Sequence, residues 1–190
     1  MNYLEGSSCY LVGPIEHDDD AGCKWRKLIS YHLNNLKVKI YNPLDRPEWL
    51  QKIMPYTQPN ETRMQILENI DIGEDEHWRL SQTMIRKVCL RYVNTCDFVI
   101  CYLNNTKTYG TTEELARANG LGKPILCVLD GAMPSLWLWD ILKDHIIFES
   151  FDELAQFLSN VADGKEYVSA LNWIFLGDGY ERKSIAWQEV

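Results

Sequence analysis

Five short apolar runs, each separated from the next by residues with helical periodicity, constrain this chain more than any other feature. They are Cys9 to Val12, Val38 to Tyr41, Phe98 to Leu103, Ile125 to Leu129 and Ile146 to Phe148. None alternates polar with apolar residues. Strands that are apolar on both sides need cover on both faces, and a parallel sheet with helices above and below provides it. The intervening patterns supply those helices. Trp25, Leu28, Ile29, His32, Leu33 and Leu36 recur at helical spacing. So do Met84, Ile85, Val88, Cys89, Tyr92 and Val93, then Leu115, Ala118 and Leu121, then Leu154, Phe157, Leu158 and Val161. Strand alternating with helix predicts right-handed crossovers and a doubly wound sheet.

The expected fold class is therefore α/β: a three-layer α/β/α arrangement of flavodoxin-like type around a five-stranded parallel sheet. A length of 190 residues suffices for one domain with a full core, so residues 1–190 are read as a single unit. Two segments depart from the pattern. Residues 45–81 hold Pro47, Pro55, Pro59, Trp49 and Trp78 among many charges, and the stretch is too long for a simple connection. It reads as an insertion, either a lid or an oligomer contact, with helix around Glu61 to Ile70. Residues 165–190 carry Trp173, Phe175 and Trp187, too aromatic for a free tail, and are expected to pack on this subunit or a neighbour.

Composition removes several function classes. The net charge is −8 with no basic cluster, which argues against a polymeric nucleic acid as partner while leaving a mononucleotide open. No apolar run is long enough to span a bilayer, and Met1 to Gly6 lack the basic and apolar regions of a secretory leader. Three of the six cysteines, Cys9, Cys101 and Cys127, lie in strand-like runs, as reduced core thiols do, and no CxxC pair is present. The expectation is a cytoplasmic protein with no membrane partner, cofactor or metal. His17-Asp18-Asp19-Asp20 lacks the spacing of a calcium loop; Asp20 reads as the cap of the next helix. Glu74-Asp75-Glu76-His77 reads as a solvated face or loop.

The chemistry-bearing stretch is Gly110-Thr111-Thr112-Glu113-Glu114-Leu115, after the third run. A buried strand ends there, a polar loop follows and a helix opens. Open α/β folds build their sites at the carboxyl ends of strands. Glu113 and Glu114 cannot share a helix face. Leu115, Ala118 and Leu121 mark the buried stripe, so Glu114 lies at its edge and aims inward. Glu113, four residues before Arg117, reads as half of an exposed ion pair. At a helix start, free N–H groups favour an ionised carboxylate while burial opposes it. Such a carboxylate suits attack at a sugar carbon; a glutamate there can also serve only its helix. Gly13-Pro14, at the end of the first run, permits close approach of a ligand to backbone or forms an ordinary turn. Asn104, Asn105 and Tyr109 can bind sugar hydroxyls or satisfy the loop backbone. Trp49, Trp78, Trp137 and Trp139 can stack on a base, although core or subunit contacts are the commoner role of tryptophan.

Tyr10-Leu11-Val12-Gly13-Pro14-Ile15 resembles the opening strand and turn of the nucleoside 2-deoxyribosyltransferase family. Gly110 to Glu114, then Leu115-Ala116-Arg117-Ala118 and Gly122-Lys123-Pro124, resembles that family's nucleophile motif. Trp25-Arg26 after Gly22, and Asn42-Pro43-Leu44 after the second run, are similar to a branch common in phage and bacterial genomes. The resemblance spans about Tyr10 to Leu158. It implies a flavodoxin-like fold and a homo-oligomer whose sites are shared between subunits. It also implies a small nucleoside or nucleotide substrate and N-glycosidic cleavage through a glycosyl-enzyme intermediate on Glu114. By position it implies ligand contacts from Gly13, Pro14, Ile15, Cys89, Asn104, Asn105, Tyr109, Gly110 and Thr111. The family usually has an aspartate where Cys89 stands, assisting the leaving base, and often an acid where Asn94 stands. A thiol is a poorer proton donor to a base nitrogen. Three readings follow. The chain transfers 2-deoxyribose between bases. Or it hydrolyses (deoxy)nucleosides or nucleoside 5′-monophosphates, with Ser81, Arg86 or Ser135 as candidate phosphate donors. Or it binds such ligands without turnover.

Overall fold

The computed structural model describes residues 1–15, 18, 20–45, 76–106, 108–169, 172–176 and 180, with backbone only over 76–82. Expectations for the insertion before residue 76, for Trp49, for the Trp78 side chain, for His17 and Asp19, and for Trp187 lie outside what is described.

The apolar runs are strands, with bounds within one residue of those expected. They are β1 (Ser8–Val12), β2 (Lys39–Tyr41), β3 (Phe98–Leu103), β4 (Ile125–Leu129) and β5 (Ile146–Phe148). They form one five-stranded sheet in the order β2-β1-β3-β4-β5, with every neighbouring pair parallel. Tyr10 lies opposite Tyr41 on one side and Val99 on the other, and Cys101 lies opposite Cys127. Between the strands run α1 (Cys23–Asn35), α2 (Glu76–Thr95), α3 (Tyr109–Gly120) and α4 (Leu136–Leu142); α5 (Phe151–Ala162) and a 3₁₀ turn at Ile174–Leu176 follow β5. This is the three-layer architecture expected.

Each face of the sheet has its own core. On one side Cys9, Leu11, Ile100 and Leu126 meet Trp25, Ile29 and Leu33 of α1 and Leu154, Leu158 and Val161 of α5. On the other, Tyr10, Val12, Val99, Cys101 and Cys127 meet Val93 of α2, Leu115 and Ala118 of α3, and Ile141 and Leu142 of α4. Full burial of each large side chain contributes about 1.5–3 kcal/mol, and the central strands β1, β3 and β4 are largely apolar and buried on both faces. The C-terminal segment joins the first core: Trp173 is buried and stacks on Phe98 at 5.9 Å between ring centroids. Tyr180 packs edge-on against Tyr3 and donates to the Glu166 carbonyl at 2.7 Å. The described part of this segment therefore packs on its own subunit.

Four local expectations need correction. Helix α4 has no counterpart among the helical patterns, because Leu136-Trp137-Leu138-Trp139 is apolar without a stripe; Ser135 caps it by accepting from the Leu138 N–H. Leu28, Met84, Val88 and Leu121 sit at apolar-stripe spacing yet are exposed, so the buried stripes are narrower than the sequence suggests. The N-cap of α1 is Gly22, in the left-handed region at φ 68°, rather than Asp20. Asp20 still satisfies a free helix donor, its carboxylate accepting from the Lys24 N–H at 3.0 Å. Last, Glu76 and His77 belong to α2 rather than to a loop. Among the described residues no helix is long and apolar enough to cross a membrane.

Candidate active site

After β1 the chain crosses to β2 on one side, and β3 then pairs with β1 on the other. The strand order thus reverses between β1 and β3, and open α/β sheets place their ligand crevice outside the carboxyl ends of the strands at such a switch point. Gly13, Pro14 and Ile15 leave β1 at this edge, and Asn104 and Asn105 leave β3 beside them. The two loops are joined: the Asn104 side-chain amide donates to the Asp18 carboxylate at 3.0 Å, and its oxygen accepts from the Thr106 N–H at 2.8 Å. Gly13 is required by packing. A Cβ there would come within 2.9 Å of both the Trp25 ring and the Tyr102 carbonyl.

Helix α3 begins at Tyr109, earlier than the sequence suggests, with Thr108 extended before it. The Thr108 hydroxyl bonds the hydroxyl of buried Thr111, and the Thr112 hydroxyl donates to the Thr108 carbonyl. The early start leaves no acidic residue in the first turn, so both glutamates stand in the second. The helix dipole therefore acts on them less than expected, since its effect fades within the first turn.

The face assignment separates the two glutamates as expected, but the partner of Glu113 differs. Glu113 bonds Arg86 of α2, and Arg117 donates instead to the Asn94 side-chain oxygen at 2.8 Å. Arg86 lies about two and a half turns before the end of α2, and the close approach of α2 to α3 brings a nearer guanidinium than the same-helix one. That contact engages Arg86 at the surface, and Ser135 is engaged as a helix cap.

Glu114 points the other way, into the layer between α3 and the sheet. The Tyr10 hydroxyl, from β1, donates to Glu114 Oε1 at 2.7 Å. The Cys89 thiol, from α2, hydrogen-bonds the same carboxylate and also the Tyr10 hydroxyl. Cys89 is half-buried; Tyr10 is buried, with its ring against Tyr92 and Tyr92 stacked on Tyr41. Burial pushes the Glu114 pKa up to about 7, against the Tyr10 hydrogen bond, the Arg26 charge and the Cys89 thiol. Burial, with the Glu114 charge next, holds the Tyr10 phenol well above its usual range, so it remains a donor at neutral pH.

Arg26 completes the surroundings. It is 1 % exposed. Its Nη2 donates to the Gly13 carbonyl at 2.9 Å, and its Nη1 donates to the carbonyls of Pro14, Ala21 and Gly22 at 3.2–3.3 Å. Burial brings its pKa down to about 10, opposed by the neighbouring Tyr10 and Glu114, and it remains a cation at neutral pH.

The structure thus brings Glu114, Cys89, Gly13 and Pro14 to one edge of the sheet, with Asn104 on the joined loop. Tyr109, Gly110 and Asn105 are exposed at the mouth, and the Thr111 hydroxyl is turned to Thr108. Trp137 is 81 % exposed and Trp139 about half exposed, so neither is a core residue. Two members of the site escaped sequence reasoning. Tyr10 carries a hydroxyl within an otherwise apolar run, and Arg26 is a charge at the spacing of Ile29 and Leu33; those mismatches were the available signals. Among the described residues no three His, Cys, Asp or Glu side chains gather as metal ligands.

No protein-family model matches the chain, and no curated protein sequence matches it. Among solved structures it is similar to the 2-deoxyribosyltransferase from the psychrotolerant bacterium Bacillus psychrosaccharolyticus. That match has a TM-score of 0.54 and 19 % identity, over 80 % of this chain and 92 % of the other. It is equally similar in shape to a conserved protein from Enterococcus faecalis V583, at TM-score 0.54 and 13 % identity, over 82 % and 98 % of the two chains. The CMP N-glycosidase BcmB of Clostridium botulinum matches with TM-score 0.48 and 14 % identity, over 80 % and 99 %. The chain has the nucleoside 2-deoxyribosyltransferase-like fold.

Proposed function

We propose that this protein cleaves the N-glycosidic bond of a 2′-deoxynucleoside and passes the sugar to a second base, with Glu114 as nucleophile. The observation that carries the reading is the Glu114 carboxylate itself. It stands half-buried beside the β1–β3 crevice, held by the Tyr10 hydroxyl and poised near neutral pKa. In this reading a Glu114 oxygen attacks C1′ and the C1′–N bond breaks. The base leaves with the bonding pair and takes up a proton. A nitrogen of the second base then attacks C1′ and the glutamate leaves as carboxylate.

Gly13, Pro14 and Ile15 form one wall of the ligand site, and Asn104, Asn105, Tyr109, Gly110 and Thr111 the other. In this reading Cys89, beside Glu114, stands where the family's assisting aspartate is expected and is a poorer proton donor to the leaving base. The ligand is a small nucleoside or nucleotide, and the assembly is a homo-oligomer with shared sites.

The test is chromatography of a deoxynucleoside and deoxynucleotide panel incubated with the protein, with and without a free acceptor base. A new nucleoside formed only with acceptor, and lost in Glu114→Ala, supports transfer. Free base released without acceptor replaces transfer by hydrolysis. Full turnover in Glu114→Ala overturns the mechanism.

A further inference from the structure

Arg26 is a buried cation whose hydrogen bonds all go to main-chain carbonyls. Among the described residues no carboxylate forms an ion pair with it, and its Nε has no hydrogen-bond partner. A buried charge without a paired carboxylate is costly to keep unless it does something a neutral residue cannot. Two features show what that is. Its four acceptors belong to the two ends of one connection: Gly13 and Pro14 where the chain leaves β1, Ala21 and Gly22 where it enters α1. The guanidinium fork ties these ends together. It also comes from the α1 layer to the carboxyl edge of the sheet, where Tyr10 and Glu114 meet from the opposite layer.

We propose that Arg26 is a positioning residue for the reaction assigned above. Its fork staples the two ends of the β1–α1 connection so that Gly13 and Pro14 hold their place at the carboxyl edge where Tyr10 meets Glu114. The inference rests on Glu114 being the reacting group. Among the described residues, the titratable groups around that carboxylate are Tyr10 from β1, Cys89 from α2, Cys101 from β3 and Arg26 from α1, with Glu113 next to it on α3 but turned outward to Arg86. Of these, Arg26 is the cation. Tyr10 and Cys89 contribute hydrogen bonds, and Glu113 opposes ionisation. Removing the guanidinium leaves the carboxylate with its hydrogen bonds but without an opposite charge, so protonation extends to higher pH.

The experiment compares the full chain with Arg26→Met and Arg26→Lys. Glu114 ionisation is followed by carbon NMR of glutamate labelled at the side-chain carboxyl, the resonance being assigned with Glu114→Gln. The kcat and KM of the best deoxynucleoside are followed against pH. In Arg26→Met the Glu114 midpoint and the acid limb of kcat/KM should both move up by about half to one pH unit. KM should rise several-fold. In Arg26→Lys the midpoint should return to the wild-type value while KM stays raised, because an ammonium cannot reproduce the fork.

An unmoved or lowered midpoint in folded Arg26→Met overturns the electrostatic role. A wild-type KM in Arg26→Lys overturns the staple. If Arg26→Met does not fold, Arg26→Lys decides: a midpoint well above wild type contradicts the proposal, and a wild-type midpoint with raised KM supports it. If the wild type turns over no nucleoside, the assigned reaction falls, while the NMR titration still tests the effect of Arg26 on Glu114.

Discussion

Glu114 has the environment of a group that must change its charge state near neutral pH. Burial alone would keep a carboxyl protonated; the Tyr10 hydroxyl and the Arg26 charge return it to about 7. Tyr10→Phe removes the hydrogen bond and keeps the ring, so the acid limb of the pH–rate profile should move up and kcat/KM at pH 6.5 should fall about tenfold. A pH series on the purified variant checks this. Stability carries the same signature. Between an ordinary carboxylate pKa near ~4.3 and the folded value, the native state keeps a proton that the unfolded chain has released, so stability declines as pH rises through that window. Glu114→Gln removes the decline. It should be more stable than wild type by ~1–3 kcal/mol at pH 8, with little gain at pH 4, in urea melts at both values. Helical geometry distinguished Glu114 from Glu113 in the sequence, because facing is a local property. The Arg86 partner of Glu113 was not legible, because it depends on how closely α2 approaches α3.

At the scale of elements, the described ends of the connection from β1 into α1 are closely specified. Gly22 stands in the left-handed region, where a Cβ would lie 2.1 Å from an Arg26 nitrogen and 2.7 Å from the Pro14 carbonyl. Gly22→Ala should therefore destabilise by about 2–4 kcal/mol, combining backbone strain with displacement of the guanidinium, and should raise KM along with it. Thermal melts and steady-state kinetics on one preparation check both. Strands were legible almost to the residue, because burial on both faces leaves uninterrupted apolar runs. Helices were legible where one face is covered by the sheet, as in Trp25, Ile29 and Leu33. Leu28, Met84 and Val88 misled because exposed apolar residues are ordinary on a protein surface. Helix α4 was missed because seven residues give periodicity no room to show.

For the molecule as a whole, the sheet order places the reversal between β1 and β3, and that reversal puts Tyr10 and Glu114, 104 residues apart in sequence, within hydrogen-bond distance. No single-element pattern carries that pairing, although the strand–helix alternation predicted the frame that produces it. The described part of the C-terminal segment packs on the same core. Trp173→Ala should cost ~3–5 kcal/mol by emptying the space over Phe98 and Phe157, read as a lower denaturation midpoint with an unchanged slope. In the proposed function Glu114 reaches the anomeric carbon of a nucleoside. The most direct test is mass spectrometry of the protein quenched in acid after mixing with a 2′-deoxynucleoside without acceptor base, where only the first half-reaction can run. The account predicts a deoxyribosyl adduct on the peptide containing Glu114, absent in Glu114→Gln. An adduct on another residue would contradict it.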